Sequence, residues 1–217
     1  MTILDAVLAF AVVAGLLTLV PGLDTALVLR SALTLTRTRS YAWATALGVA
    51  TGAMVWGVAA AVGISALLTA SELAYRVLTT AGAAYMLWLG ISMIRASFRG
   101  GPGTGATGAT TPEVPGSAWR GWLVGAGTNL LNPKVGVFYI ATIPQFLPPD
   151  TSPLLMGAVL AGVHCALTMT WFAALILGGG WARRWLSDPR ALAVVDRVTG
   201  AVLMAFGGKL LLDAPSR

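Results

Sequence analysis

The side chains with the clearest chemical potential lie in a short polar stretch, residues 129–134, whose sequence is NLLNPK. Two amides, a proline and a lysine occupy this stretch, although the flanking segments GWLVGAGT and VGVFYIATI are apolar. An earlier stretch, TLVPGLDTAL, places Asp24 three residues after Pro21. Because proline lacks an N–H and clashes with the carbonyl four residues earlier, both stretches predict a broken helix. The carbonyls that lose their partners belong to Leu17 and Asn129, and we expect polar side chains, water or a ligand to satisfy them.

Polar and flexible residues surround both prolines, Pro21 and Pro133. Gly22 relaxes the backbone directly after the first proline. The side chains that can hydrogen-bond to the broken backbone are those of Thr18, Thr128, Asn129 and Asn132. Asp24 and Lys134 add one negative and one positive charge, each shortly after a proline. The pattern indicates a polar site formed where two helices are broken at corresponding prolines, Pro21 and Pro133.

The composition of the whole chain indicates the surroundings of these residues. Of the 217 residues, 57% are hydrophobic and only 10% are charged, and the mean hydropathy is +0.80. Because a soluble domain has about 25% charged residues, this chain is predicted to lie in a lipid bilayer. The net charge of +6 does not indicate nucleic-acid binding, since the basic residues fall in short connections between apolar runs.

Six apolar runs are long enough to cross a bilayer, which takes about 20 residues per helix. Their approximate bounds are Ile3–Leu29, Ala42–Leu68, Ala74–Ile94, Trp119–Phe146, Leu154–Leu177 and Val194–Leu212. The third connection, about residues 99–118, is rich in Gly, Thr and Pro and is predicted to be a flexible cytoplasmic linker. We therefore expect a single transmembrane domain over 1–217, with repeats at about 1–98 and about 119–217.

Basic residues are distributed unevenly between the two ends of these runs. The first, third and fifth connections carry Arg30, Arg37, Arg39, Arg95, Arg99, Arg120, Arg183, Arg184, Arg190 and Arg197. The opposite end carries only Arg76, Lys209 and Arg217, with the acids Asp5, Glu72, Asp150 and Asp213 beside them. The positive-inside rule then predicts both termini outside the cell and the three basic connections in the cytoplasm.

The two halves of the chain resemble each other. The segment TAGAAYMLWLG (Thr80–Gly90) aligns with VTGAVLMAFGG (Val198–Gly208), and Pro21 corresponds to Pro133. Chance similarity among Gly- and Ala-rich helices is the alternative. Three spans per half, an odd number, require opposite orientations in the membrane. The sequence therefore predicts an all-α membrane protein with six transmembrane helices in a 3+3 inverted repeat and proline-broken first and fourth helices.

Asp24 and Lys134 are the only acid and base near the middle of the predicted spans. Charges inside a bilayer are costly and suggest a functional site. A zwitterion complements them, because Asp24 can bind an α-ammonium and Lys134, or amides freed at the breaks, can bind an α-carboxylate. With no second acid nearby, a neutral amino acid is favoured. Alternatively, the two residues pair with each other, or Lys134 extends towards lipid headgroups.

Several other features have both a functional and a structural interpretation. His164, the single histidine, can carry a proton near neutrality or hydrogen-bond to a neighbouring helix. The GxxxG motifs Gly48–Gly52 and Gly121–Gly125 permit close helix contacts, either within the bundle or in a homodimer. The run Gly178–Gly180 before Trp181 predicts a helix end at the interface.

Other functional classes fit less well. GxxxxGK[ST], HExxH and Ser/His/Asp patterns are absent from the sequence, so we expect neither an enzyme nor a cofactor. A thiol–disulfide carrier needs two cysteines, and Cys165 is alone. A metal-ion exporter needs several converging ligands, whereas Asp24 and His164 are few and Lys134 repels cations. A passive channel or a structural membrane protein does not require two helices that are broken at corresponding prolines.

The segments PGLDTALVLRSAL, TNLLNPKVGVFYIATIPQF and RVTGAVLMAFGGKLLL resemble the LysE/RhtB family of amino-acid exporters, and the likeness spans nearly the whole chain. The resemblance implies a multi-pass protein of the bacterial cytoplasmic membrane that exports amino acids or related metabolites in exchange for protons. The family's first break has a second proline where this chain has Leu23, which implies a looser break. Many members carry a polar residue where this chain has Trp56, which implies an aromatic wall and a narrower pocket.

The expected function is export of a neutral amino acid or related metabolite by proton antiport, with Asp24 alternating between a proton and the substrate ammonium. A metal-ion or other cation exporter of the same superfamily is the alternative. The candidate substrate-binding or coupling residues are Asp24, Lys134, Asn129, Asn132, Pro21, Gly22, Pro133, Thr18 and His164.

Overall fold

The structure of the protein, a computed structural model, describes residues 1–33, 39–99 and 117–213. Within these residues it contains eight α-helices, one 3₁₀ turn and no strand, which confirms the predicted all-α class. The helices are α1 (Ile3–Leu19), α2 (Leu23–Leu33), α3 (Arg39–Ala70), α4 (Glu72–Arg99), α5 (Ala118–Leu130), α6 (Pro133–Thr142), α7 (Pro153–Leu186) and α8 (Pro189–Asp213). The 3₁₀ turn is Ile143–Phe146. Most of the predicted linker, together with Arg37 and Arg217, lies outside the described residues.

Most helix starts carry a side chain that caps the first turn. At α1, the Thr2 hydroxyl accepts a hydrogen bond from the Asp5 amide at 3.1 Å, and the Asp5 carboxylate accepts one from the Thr2 amide at 3.0 Å. Side chains that accept from the first turn of α4, α5, α7 and α8 belong to Ser71, Ser117, Ser152 and Asp188. Such caps satisfy amides that have no partner inside the helix and so fix where each helix begins.

Several helices have the length and composition of membrane spans. Among the described residues, α3, α4, α7 and α8 each qualify, and the bent pair of α1 and α2 gives a fifth. The predicted fourth run, Trp119–Phe146, is divided into α5, α6 and the 3₁₀ turn, each shorter than the roughly 20 residues that a helix needs to cross a bilayer. The protein is therefore a multi-pass membrane protein in which two of the predicted runs are interrupted.

Glycines allow the helices to approach closely. A Cβ atom added to Gly90 of α4 would lie 2.5 Å from the carbonyl oxygen of Gly200 in α8, and the reverse distance is 2.7 Å. The motifs Gly48–Gly52 and Gly121–Gly125 face each other between α3 and α5, where side chains have no room. Of the two uses predicted for these motifs, the structure shows packing within the bundle.

A cluster of aromatic rings fills the core between α1, α6 and the 3₁₀ turn. Phe10 lies edge-on to Phe146, with ring centroids 5.5 Å apart, and is tilted against Phe138 at 6.2 Å. All three side chains are essentially excluded from the surface. This cluster supports one wall of the site described below.

The predicted helix end at Gly178–Gly180 is present as a kink that divides α7 into two helical segments. Gly179 has φ 41° and ψ −105°, a conformation that side-chain-bearing residues rarely adopt. One segment therefore ends at these glycines, and the second continues to Leu186 in another direction.

Candidate functional site

A cavity of about 90 Å³, large enough for several water molecules, lies beside both helix breaks. Its lining includes the predicted site residues Thr18, Gly22, Asp24, Asn129, Asn132, Lys134 and His164. The remaining two, Pro21 and Pro133, do not line it, and Pro133 is exposed. Each proline therefore lies beside a break and outside the cavity lining, whereas the polar residues near it face the cavity.

The first break separates α1 from α2. Helix α1 ends at Leu19, α2 begins at Leu23, and the two axes are bent by 56°. The carbonyl of Leu17, predicted to need a polar side chain or a ligand, accepts a hydrogen bond from the Val20 amide at 3.2 Å. Thr18 donates to the Ala14 carbonyl at 2.8 Å instead. A tight turn of the backbone thus satisfies the carbonyl that the break releases.

The second break separates α5 from α6 and is closed in the same way. The Asn129 carbonyl accepts from the Asn132 amide at 3.0 Å, so here too a backbone amide replaces the predicted side-chain partner. Asn132 then caps α6, because its side-chain oxygen accepts from the Lys134 amide at 3.1 Å. Its carbonyl accepts from the Val135 amide at 3.1 Å and the Gly136 amide at 3.4 Å. The backbone amides at the start of α6 therefore already donate hydrogen bonds to Asn132. Of these amides and the Lys134 ammonium, the ammonium is the one left to bind an anion.

One hydrogen bond joins the two breaks. The Asn129 side-chain amide donates to Oδ2 of Asp24 at 2.9 Å. The other carboxylate oxygen, Oδ1, is buried and has no hydrogen-bond partner. A buried acceptor without a partner costs about 1–3 kcal/mol, more when it is charged. Asp24 is thus held in place by one oxygen and lacks a donor at the other.

The Asn129 side chain is itself fixed by close packing. It is 2% exposed, and a Cβ atom added to Gly52 would lie 2.8 Å from its side-chain oxygen. That oxygen is buried without a hydrogen-bond partner. Gly52 therefore makes the space in which the amide of Asn129 is oriented towards Asp24.

Lys134 does not form the direct ion pair with Asp24 that was one of the alternatives. Asp196, inside the run VVDRVTG of α8, is also half-buried, but it does not line the cavity. The expectation that no second acid serves the site stays a prediction.

His164 lies in an aromatic environment at the wall of the cavity. It is 8% exposed, and its Nδ1 is 2.8 Å from the hydroxyl of Tyr139. Its ring also meets Phe10 and Phe138, with centroids 6.5 Å and 5.7 Å away. The donor in the Tyr139–His164 hydrogen bond depends on the tautomer of the imidazole. His164 therefore hydrogen-bonds to Tyr139 of a neighbouring helix, a partner that was not predicted.

Trp56 does not form the aromatic wall of the cavity that the resemblance implied. It is not among the lining residues, and its ring packs against Gly136 of α6, where a Cβ atom would lie 2.7 Å from the indole. The aromatic side chains that do line the cavity are Phe138, Phe172 and His164. Trp56 therefore affects the position of α6 rather than the surface of the pocket.

Comparison with known proteins places these features in a family. The LysE type translocator family matches residues 15–214. An uncharacterized membrane protein of Bacillus subtilis, YrhP, is 27% identical over 208 residues, which cover 95% of this chain and 98% of that protein. The homoserine/homoserine lactone efflux protein of Salmonella typhimurium is 32% identical over 75% of this chain and 76% of its own. The arginine exporter protein ArgO of Yersinia enterocolitica is 32% identical over 65% of this chain and 66% of its own. No solved structure matches the chain.

The matched region extends from Gly15 in α1 to beyond the end of α8 and contains both breaks and the whole cavity. It includes every residue predicted for the site. This chain belongs to the LysE type translocator family, and it is a transporter rather than an enzyme.

Proposed function

We propose that this protein exports a neutral amino acid or a related metabolite from the cytoplasm by proton antiport. Two relatives carry names that refer to efflux of homoserine and its lactone and to export of arginine. The observation that supports the proposal most strongly is the unpartnered Oδ1 of Asp24 at the cavity wall. A buried carboxylate oxygen that lacks a donor is a suitable acceptor for an ammonium group.

The charges of the site fit the two ends of an amino acid. In the proposed complex, Asp24 binds the α-ammonium while Asn129 keeps the carboxylate in place. Lys134 binds the α-carboxylate, since the neighbouring amides of α6 are occupied by Asn132. The cavity of about 90 Å³ must enlarge to admit the substrate, and the two breaks are where the helices can move.

Proton exchange at Asp24 supplies the coupling in this proposal. When ionised and facing the cytoplasm, Asp24 takes up the substrate ammonium. When facing outwards, it releases the substrate and binds a proton, which it carries back. The same oxygen serves both cations, so substrate and proton exclude each other, and this exclusion is the requirement for antiport. His164 is the second candidate for carrying the proton.

The architecture proposed for this cycle is six spans in a 3+3 inverted repeat. Helices α1 and α2 form the first span, and α5, α6 and the 3₁₀ turn form the fourth. Two observations support it: each interrupted span has its break near a proline, and the third and last spans, α4 and α8, face each other through Gly90 and Gly200. Equivalent helices that meet at a twofold axis have this kind of contact.

We further propose that the basic connections face the cytoplasm of a bacterial cell. In support, Arg197 at the start of α8 donates to the Ser97 hydroxyl at 3.1 Å, and its guanidinium lies 4.4 Å from the centroid of the Phe98 ring near the end of α4. Two basic connections thus meet at one end of the bundle.

Cysteine labelling tests this orientation. In a Cys165→Ala background, a membrane-impermeant maleimide should label Ala70→Cys in intact cells but label Ser187→Cys only after the cells are opened. Both positions are exposed: Ala70 is the last residue of α3, before the second connection, and Ser187 lies between α7 and α8. Labelling of Ser187→Cys from outside would reverse the orientation.

Efflux from proteoliposomes tests the function itself. Vesicles containing the purified protein are loaded with neutral amino acids, homoserine lactone, arginine or a divalent metal ion, and efflux is followed with and without a pH gradient. We expect efflux of neutral amino acids or the lactone that increases with the gradient. Exclusive efflux of arginine or of the metal would contradict the proposed substrate class, and efflux indifferent to pH would contradict antiport.

A further inference from the structure

Helix α7 presents a regularly spaced row of side chains to the cavity. His164, Thr168 and Phe172 all line it, and a spacing of four residues places them on one face of the helix. His164 and Thr168 are polar and buried, with 8% and 6% of their surfaces exposed. They form a second set of hydrogen-bonding groups in the cavity, on a different helix from Asp24 and from Lys134.

The hydroxyl of Thr168 is not used inside its own helix. Buried threonines elsewhere, such as Thr45 and Thr142, donate to the carbonyl four residues earlier at 2.8 and 2.6 Å. Thr170, also in α7, does the same at 2.8 Å. Among the described residues Thr168 has no hydrogen-bond partner, and its hydroxyl is not sealed by protein atoms as Oδ1 of Asp24 is. The hydroxyl is therefore open to the cavity that Thr168 lines.

The hydrogen bond between Tyr139 and His164 determines which imidazole nitrogen carries the proton. Tyr139 is fully buried, and within the described part of the chain Nδ1 of His164 is the one hydrogen-bond partner of its hydroxyl, at 2.8 Å. If Nδ1 carried a proton, it would donate to Tyr139 and leave the phenolic proton buried without an acceptor, which is costly. Tyr139 therefore donates to Nδ1, and the imidazole proton lies on Nε2.

Nε2 of His164 is open to the cavity as a donor. The rest of the ring is enclosed, because Nδ1 is bonded to Tyr139 and the rings of Phe10 and Phe138 lie against it, with centroids 6.5 and 5.7 Å away. Nε2 itself has no hydrogen-bond partner in the described ranges, and it is not among the atoms sealed from solvent. Because His164 lines the cavity, this N–H is available to whatever the cavity holds.

We propose that His164 and Thr168 form the side-chain subsite of the transporter and select neutral amino acids whose side chain carries an oxygen atom. This inference rests on the proposed function, in which Asp24 and Lys134 bind the two ends of the amino-acid backbone. The Nε2–H donates to the side-chain oxygen of the substrate. The Thr168 hydroxyl, which can donate and accept, completes the contact when that oxygen belongs to a hydroxyl. An aliphatic side chain displaces water from both groups and offers no partner in return.

Tyr139 is the positioning residue of this subsite. It does not line the cavity, so it acts on the substrate through His164, by holding the imidazole proton on Nε2. This role differs from proton carriage, because the imidazole keeps its proton throughout the cycle.

Nuclear magnetic resonance tests the donor without any transport. His164 is the single histidine of the chain, so isotope-labelled protein purified without a histidine tag has one imidazole, whose nitrogen shifts report its tautomer. We expect the Nε2–H tautomer in the wild type at neutral pH and a mixture of both tautomers in Tyr139→Phe, which lacks the phenolic donor. A wild-type proton on Nδ1, or a tautomer that Tyr139→Phe leaves unchanged, would overturn the inference.

Pairs of substrates that differ in one hydroxyl test the selection. Threonine and valine have nearly the same shape, as do serine and 2-aminobutyrate, and the second member of each pair lacks the side-chain oxygen. In proteoliposomes we expect kcat/KM for efflux to favour the hydroxyl member by at least about tenfold. Thr168→Val, which keeps the shape of the side chain, and Tyr139→Phe should each reduce this ratio. A merely structural effect would slow both members equally, so an unchanged ratio in both variants rejects the subsite.

Thr170→Val is the matched control. Thr170 is an exposed residue of the same helix, and its hydroxyl already donates to the Ala166 carbonyl. This substitution should leave both the rates and the ratio unchanged. If it lowered the ratio as much as Thr168→Val does, the effect would belong to α7 as a whole, and the assignment to the cavity hydroxyl would be rejected.

The two experiments separate this inference from the proposed function. If the wild type moves no amino acid, the proposed function fails, but the resonance measurement still decides whether His164 presents a donor to the cavity. If the wild type transports both members of each pair equally well, the proposed function stands and only the inference about His164 and Thr168 fails.

Discussion

The two helix breaks use the same backbone device but differ in how firmly they are held. At each break, the carbonyl released by proline accepts from the amide three residues later, at Leu17 in the first and Asn129 in the second. The second break also has a side-chain cap from Asn132, whereas no side chain caps the first turn of α2 among the described residues. A Cβ atom added to Gly22 would meet nothing within 4 Å. From this difference we expect the first, uncapped break to be flexible and the second, capped break to be locked.

This difference assigns different tasks to the two halves of the site. The locked break positions Lys134 and Asn129, and the flexible break carries Asp24. Their link is the hydrogen bond from Asn129 to Asp24. Motion at the first break would therefore move the carboxylate against a nearly stationary set of partners. The following predictions test this comparison, from the largest expected effect to the smallest.

The largest effect should follow from Asp24→Asn, which keeps the volume of the side chain and removes its charge. Loss of a buried charged partner costs about 2–5 kcal/mol of binding, so efflux should fall roughly 30-fold or more and lose its response to pH. Efflux from proteoliposomes at several pH gradients measures this, and size-exclusion chromatography verifies folding. An unchanged pH dependence would remove Asp24 as the coupling residue and make His164 the next candidate.

A smaller effect is expected at the locked break from Lys134→Gln. Losing one charged hydrogen bond to the substrate should cost about 1.5 kcal/mol and raise KM roughly tenfold, while the ratio of efflux with and without a pH gradient stays the same. Lys134→Arg serves as the control that keeps the charge. If Lys134→Gln removed the pH response instead, the division of tasks between the two breaks would be incorrect.

Asn132→Ala should make the second break resemble the first. Removing an N-cap costs about 1 kcal/mol, so the unfolding midpoint should fall by a few degrees. Asn132→Asp retains a capping oxygen and should remain close to the wild type. If the alanine variant were as stable as the wild type, Asn132 would not hold α6 in place.

The smallest effect should come from Gly22→Ala, which stiffens the flexible break. The space around Gly22 is open and its φ is not positive, so alanine should fit and stabilise the protein by about 0.4–1 kcal/mol. If the break moves during transport, the turnover rate should fall. Gly162→Ala in α7, where space is also open, is the matched control and should stabilise without slowing efflux. Equal turnover in both variants would argue against motion at Gly22.

The sequence was informative where one residue type has a single strong effect on the backbone. Helix α1 ends at Leu19, just before Pro21, and α5 ends at Leu130, just before Pro133; proline, which lacks an amide, disfavours a continuous helix. Polar residues near both prolines, among them Thr18, Asp24 and Lys134, line one common cavity. Apolar runs likewise gave the long helices α3, α4, α7 and α8, although their ends extend beyond the predicted bounds.

The sequence was less informative where the result depends on which helix packs against which. Trp56 was predicted to line the pocket, but the missing side chain of Gly136 opens a space for its ring on α6. Tyr139 was missed because nothing in the local pattern connects it with His164. Such pairings require coordinates.

The glycine contact between α4 and α8 also has a consequence for biosynthesis. Helix α4 leaves the ribosome well before α8, which supplies Gly200 against Gly90. Until α8 has entered the membrane, the backbone at Gly90 faces lipid or some temporary partner. The helix bundle therefore cannot be completed before α8 is synthesised. A chain released before α8 would leave the glycine face of α4 exposed to membrane proteases.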